Sequence, residues 1–172
     1  MVEHGVYYAS AAYGELVRAL GGAFADSKHR PIVCLVESKE QPGLYWAIPM
    51  GKWNHRTQEQ QARIYRYLDL PENDIRSCYY HLGRTTSKTI FFVSDAFPIT
   101  EKYIASGHLD ASGAHYIIKN PKLLEQLQRK LLRILSIENS RPDSFRQHIT
   151  TVKAYLITEL NAREPDREPA LV

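Results

Sequence analysis

The chain has 172 residues, 44% of them hydrophobic, and its 22 basic and 19 acidic side chains leave a net charge of +3. That length and apolar share suffice for one core, so a single domain over 1–162 is expected, followed by a flexible, proline- and charge-rich tail over 163–172. No run of about 18 apolar residues is present to span a membrane, and Met1-Val-Glu-His-Gly5 lacks the basic and apolar regions of a signal peptide, so a cytoplasmic protein is expected.

Val6–Ser10 reads as a first strand, with Ser10 placed to cap a short helix from Ala11 to Leu20 that Gly21-Gly22 ends. Ile32–Glu37 is a continuous apolar run of the kind found in buried central strands. The Gln41-Pro-Gly43 turn then predicts an antiparallel hairpin with Leu44–Ile48. Pro49 and Gly51 are expected to break that second strand and to set Lys52, Trp53, Asn54, His55 and Arg56 in one loop. Thr57–Leu70 reads either as a polar surface helix or as an irregular loop. Ser77–Leu82 and Thr89–Val93 read as strands around the polar turn Gly83–Lys88, and Asp95–Thr100 as a further turn. A short helical turn from Thr100 to Ile104 and a last strand over His115–Ile118 follow.

Asn120-Pro121 starts a helix for a physical reason. Asparagine caps it, and proline at the first helical position has no orphan donor to satisfy. Leu124, Leu127, Leu131, Ile134 and Leu135 form its core-facing stripe. Arg141-Pro-Asp143 breaks and recaps the chain into a second helix, with Phe145, Ile149, Val152, Leu156 and Leu160 inward. Strands first and two long helices last, with antiparallel connections, predict an α+β fold: a twisted antiparallel sheet, curled into a half-open barrel, with helices packed to one side.

Three polar groups stand out: Lys52, Trp53, His55 and Arg56; Arg84, Thr85, Thr86, Ser87 and Lys88; and Tyr7, Tyr8 and Ser10. In a curled sheet they converge, since the first and third sit at strand ends and the second at a strand start. Eleven tyrosines in a basic chain favour RNA, because a phenol ring stacks on bases and its hydroxyl meets phosphates; the alternative is that they line a half-exposed sheet. Cleaving RNA without a metal asks for a base to take the 2′-hydroxyl proton, a cation to hold the phosphorane, and an acid for the leaving 5′-oxygen. Lys52 suits the charge role, His55 the proton shuttle, and Ser87 and Tyr8 the hydroxyl roles. Trp53, Arg56, Arg84, Thr86, Lys88 and Ser10, with Arg129, Lys130 and Arg133 on the long helix, are the expected RNA contacts. No cofactor or metal is expected: the seven histidines are scattered, Cys34 and Cys78 form no Cys-x-x-Cys pair, and no glycine-rich phosphate loop occurs. Competing readings are a solvated hairpin loop at Lys52–Arg56 and a non-catalytic RNA-binding module.

Val6-Tyr-Tyr-Ala-Ser10, Arg30-Pro-Ile-Val-Cys-Leu-Val36, Tyr45-Trp-Ala-Ile-Pro-Met-Gly-Lys-Trp53 and Ser87-Lys-Thr-Ile-Phe-Phe-Val-Ser-Asp-Ala-Phe-Pro-Ile-Thr-Glu-Lys-Tyr-Ile104, followed by the basic helix after Asn120-Pro121, occur in a recognisable order. In that order they resemble the endoribonuclease toxins of type III toxin–antitoxin and related phage-abortive systems, the ToxN/AbiQ, CptN and TenpN group. The resemblance implies a MazF/Kid-like barrel and a metal-independent, sequence-selective RNase leaving 2′,3′-cyclic phosphate and 5′-hydroxyl ends. It also implies an RNA pseudoknot antitoxin, cut from a repeat transcript, that joins the toxin in a closed assembly. Lys52 matches the catalytic lysine of that group. Met50-Gly51 departs from the Ser or Thr that many members carry just before it, which leaves Ser87 or Thr86 to supply the hydroxyl.

Overall fold

The computed structural model describes residues 1–25 and 29–162, so the tail expected over 163–172 lies outside the described residues. Seven strands, β1 (Gly5–Ala9), β2 (Ile32–Glu37), β3 (Leu44–Lys52), β4 (Tyr80–Arg84), β5 (Lys88–Phe92), β6 (Phe97–Thr100) and β7 (Ile104–Gly107), join in one sheet. Four α-helices, α1 (Ala11–Ala19), α2 (Gln58–Leu68), α3 (Pro121–Ser140) and α4 (Ile149–Asn161), pack against it. The architecture is α+β, every strand pair is antiparallel, and the order β4-β5-β3-β2-β1-β7 is open, with β6 paired to β3 alone.

β3 holds the sheet together, and it corrects the expected break at Pro49. Along one side it pairs with β2 from Tyr45↔Glu37 to Pro49↔Ile32. Along the other, Leu44–Ala47 pair with β6 and Met50–Lys52 with β5. The Met50 N–H donates to Pro31 O on the β2 side. Strand alternation therefore turns the missing N–H of Pro49 to the opposite side, where β6 has ended and β5 has not begun. The proline removes no ladder bond, and the strand runs on to Lys52.

Alternation along β3 divides the core. Trp46, Ile48 and Met50, with Val6, Val33 and Phe91, pack beneath α3 residues Leu123, Leu127, Leu131 and Ile134. Tyr45 and Ala47 face the other way, into a cluster of Tyr7, Tyr13, Ile32, Phe97 and Ile99 closed by Val17 of α1 and by Val152 and Leu156 of α4. Much of the tyrosine content goes here: Tyr7, Tyr13, Tyr45 and Tyr103 are buried, and the Tyr13 hydroxyl donates to Pro98 O at 2.6 Å. On the same face, α2 lays Ile64 over Trp53, Ile90 and Phe92.

Thr57–Leu70 resolves as a helix. Thr57 Oγ1 accepts from Gln60 N and Gln60 Oε1 accepts from Thr57 N, each at 3.2 Å, a reciprocal capping box. Thr57→Ala is expected to cost about 1 kcal/mol, read as a melting point lower by roughly 2–4 °C. Asn120 accepts from Leu123 N with Pro121 at the first position, as the sequence predicts. Three expectations fail. Asp95–Thr100 contains the strand β6 rather than only a turn, because β3 offers it a free edge. His115–Ile118 makes only isolated bridges; its backbone bonds to Val6, His108 and His4 in turn rather than to one strand. The segment expected as one helix from Asp143 becomes helical only at Ile149. Ahead of it, Glu138, 2% exposed, accepts from Asp143 N, Thr150 N and the Thr150 and Ser144 hydroxyls, while Asp143 accepts from Thr151 N. Two carboxylates thus hold the first turn of α4, which also suits its helix dipole.

His81 lies on the α3 side of β4. Burial, helped by the charges of Lys130 and Arg129, pushes its pKa from 6.5 down to about 4. The unfolded chain binds this proton below pH 6.5 and the folded chain only near pH 4, so stability falls as pH drops through that window. The expected loss is on the order of 2 kcal/mol. Urea midpoints measured from pH 7 to 4.5 check this, with His81→Gln flattening the decline.

Candidate functional site

In this antiparallel order β1, β3 and β4 finish, and β2 and β5 begin, at one end of the sheet. The three polar groups of the sequence therefore arrive together: Tyr8 and Ser10 leaving β1, Lys52–Arg56 leaving β3, and Arg84–Lys88 turning between β4 and β5. The side chains divide between the two faces of that end.

Lys52 pairs with Thr89 as the last residue of β3. It is in phase with Met50, so it lies on the α3 face. Thr89 in turn pairs with Gly83, where a Cβ would stand 2.5 Å from Leu123 Cδ1, so the first turn of α3 reaches this row. Lys52 is exposed. Tyr8 follows Val6 on the same face, with β2 between β1 and β3; two strand spacings and a two-residue offset in register put roughly 12 Å between its backbone and that of Lys52. The Tyr8 hydroxyl bonds His108 Nδ1 at 2.8 Å. Hydroxyls border Lys52 on the other side, where Thr85 Oγ1 and Thr89 Oγ1 are 2.8 Å apart and Thr89 Oγ1 donates to Ser87 O. Arg84 and Thr86 are exposed in this turn, and Arg84 and Thr85 border a cavity of about 620 Å³ with Asp110, His115, Lys119 and Asn120.

The opposite face carries guanidinium groups. Arg30 lies 4.7 Å and Arg56 5.9 Å from the centre of the Phe92 ring, both within cation–π range. Burial lowers the pKa of Arg30, and the positive charge of Arg56 adds to that. Asp95 works against that shift, and Arg146 holds it with two bonds of 3.1 and 2.7 Å. Arg56 Nε is buried without a partner. Beside Arg30 opens a cavity of about 220 Å³ lined by Phe24, Ile32, Phe97, Asp95, Arg146 and Gln147, and bordered by the chain from Tyr8 to Ala11 as it leaves β1.

No protein-family model and no curated protein matches this chain. The site is therefore read from its own chemistry. Among the described residues no group of three or more His, Cys, Asp and Glu side chains is placed to hold a metal ion. Both cysteines are buried and free, and burial pushes the Cys34 thiol up to about 12, which leaves no thiolate for nucleophilic work.

Several expected contacts take other places. Trp53 is 8% exposed and packs on Ile64, Ile90 and Phe92, with Tyr65 edge-on at 5.3 Å, so its ring is a wall of the core and offers no open face for a base. Lys88 covers it, its Nζ 4.8 Å from the ring centre while donating to the Tyr65 hydroxyl at 3.1 Å. Ser10 occupies the N-cap position of α1, but its hydroxyl makes no cap bond and has no partner. Lys130 is held to the fold by its bonds to Ser77 O and Tyr80 O. Arg129, Lys130 and Arg133 lie roughly 12–18 Å along α3 from its start, away from the sheet end that gathers the other groups. His55 is exposed at the end of a short 3₁₀ turn, Trp53–His55. Lys52 borders none of the cavities described above.

Arg30, His108, Arg146 and Gln147 are the groups that sequence reasoning missed. Arg30 directly precedes β2 and so reaches the same sheet end as Lys52, which a topology drawn from the hairpin alone contains. The other three come from distant loops and carry no local signal.

Proposed function

We propose that this chain is a metal-independent endoribonuclease of the type III toxin kind, cutting RNA to 2′,3′-cyclic phosphate and 5′-hydroxyl ends. The observation that carries the reading is the arrival of three separately recognised polar groups at one sheet end, flanked by Arg30 and Arg56. An RNA strand crossing that end lays a phosphate against Lys52, whose ammonium stabilises the charge of the phosphorane. Tyr8, backed by His108, is within reach as a proton donor or acceptor, and the Ser87 and Thr86 turn supplies hydroxyls. Arg30 and Arg56 hold the neighbouring backbone on the other face. In this reading the open sheet is a variant of the MazF/Kid-like half-open barrel. The antitoxin is a structured RNA, a pseudoknot processed by the enzyme itself, that occupies the same end in a closed assembly.

The test is incubation of the purified chain with cellular RNA in EDTA, followed by end mapping. Discrete cyclic-phosphate ends support the reading, and intact RNA overturns it. A non-catalytic RNA-binding module is the second reading, favoured by the separation of Lys52 from the cavities; it predicts binding with no new ends.

A further inference from the structure

The cavity beside Arg30 is built for more than backbone contact. We propose that it accepts a single unstacked nucleobase bearing an exocyclic amino group, and that Gln147 is the residue that reads it. The inference rests on the RNA-directed reading and adds to it a base preference and the residue responsible.

Gln147 is 3% exposed. Its Nε2 donates to Ser94 O at 3.0 Å and Ala96 O at 2.6 Å. Turning the amide over would set its oxygen against both carbonyls, so the orientation is fixed, and Oε1 is left as a buried acceptor with no partner. Ser10 Oγ, on the same cavity, is also buried without a partner. Each such group is costly while it stays unsatisfied. Gln147 lines the cavity, and its stranded acceptor, covered in the free chain, calls for a ligand that donates once the amide oxygen is brought to the cavity wall. Phe24, Ile32, Pro49 and Phe97 supply apolar walls of the sort a planar ring fills, and about 220 Å³ is smaller than pockets for drug-sized ligands. At the mouth, Arg30 supplies a positive charge for the attached phosphate, beside the Asp95–Arg146 pair. Adenine and cytosine present an amino donor where uracil presents a carbonyl oxygen.

Binding of AMP, CMP and UMP to the intact chain, followed by ligand-observed NMR at millimolar concentration, tests this. AMP or CMP is expected to bind at least about 5-fold more tightly than UMP, the worth of one hydrogen bond. Ala11→Phe, an exposed position on the cavity rim, is expected to abolish nucleotide binding, and Gln147→Met to erase the preference over UMP. Equal binding of UMP, no binding of any nucleotide, or an Ala11→Phe protein that binds as the wild type does would each overturn the proposal. The result separates from that of the nuclease reading: selective AMP or CMP binding by a chain that leaves RNA intact supports the pocket and rejects the enzyme. RNA cleavage accompanied by equal binding of the nucleotides does the reverse.

Discussion

Lys52→Ala is expected to lower the rate of RNA cleavage about 10²–10³-fold, the usual effect of removing one preorganised charge from a transition state, while leaving the melting point where it was. The two halves of that expectation have separate sources. Lys52 is exposed at the last position of β3, and surface substitutions of this kind stay within about 0.5 kcal/mol. The activity half follows from its place beside Thr89 and on the same face as Tyr8. Arg30→Ala should behave differently. It removes a phosphate contact, so it weakens RNA binding and reduces the salt slope by about one unit, with a smaller effect on turnover under saturating RNA. If Lys52→Ala cut RNA at the wild-type rate, the charge role would pass to the Arg30–Arg56 face.

Glu138→Ala is the largest stability change expected in the fold, about 3–5 kcal/mol, or a melting point lower by roughly 10 °C or more. The carboxylate is 2% exposed and serves four donors, the Asp143 and Thr150 amides and the Thr150 and Ser144 hydroxyls. Alanine leaves the half-buried Asp143 and Thr150 donors without their acceptor and opens a void between α3 and α4. Glu138→Gln keeps the shape and one acceptor oxygen, so it should lose less than half as much. Thermal melts of the three proteins decide this, and an alanine variant that melts with the wild type would show the site to be open to water.

Where the structure agrees with the sequence, the signals were local. Asn120-Pro121 specified its helix start by cap and missing donor, and the β-branched and aromatic runs at Ile32–Val36 and Thr89–Val93 specified buried strands. The capping box at Thr57 and Gln60 was equally local and would have decided in favour of α2. Where sequence reasoning fell short, the cause was tertiary. Pro49 breaks strands in general, but here its missing donor falls in the gap between two partner strands. Phe97–Thr100 looks like a turn until β3 offers it an edge. Trp53 follows a cation and precedes a histidine, so it reads as a stacking platform, yet α2 folds over it. The convergence of Tyr8, Lys52 and Ser87 at one sheet end was legible from strand direction alone. That Trp53, Arg56 and Lys88 would fall on the opposite face from Lys52 was not, because it depends on β3 continuing to residue 52.

The central claim is that one end of an open sheet holds an RNA phosphate with side chains alone. The most direct measurement maps the termini left when the EDTA-treated protein and its Lys52→Ala variant act on the same RNA. Discrete 2′,3′-cyclic phosphate and 5′-hydroxyl ends from the wild type, falling at least about 100-fold in the variant, are the predicted result. RNA recovered uncut, or cut equally by both proteins, would contradict it.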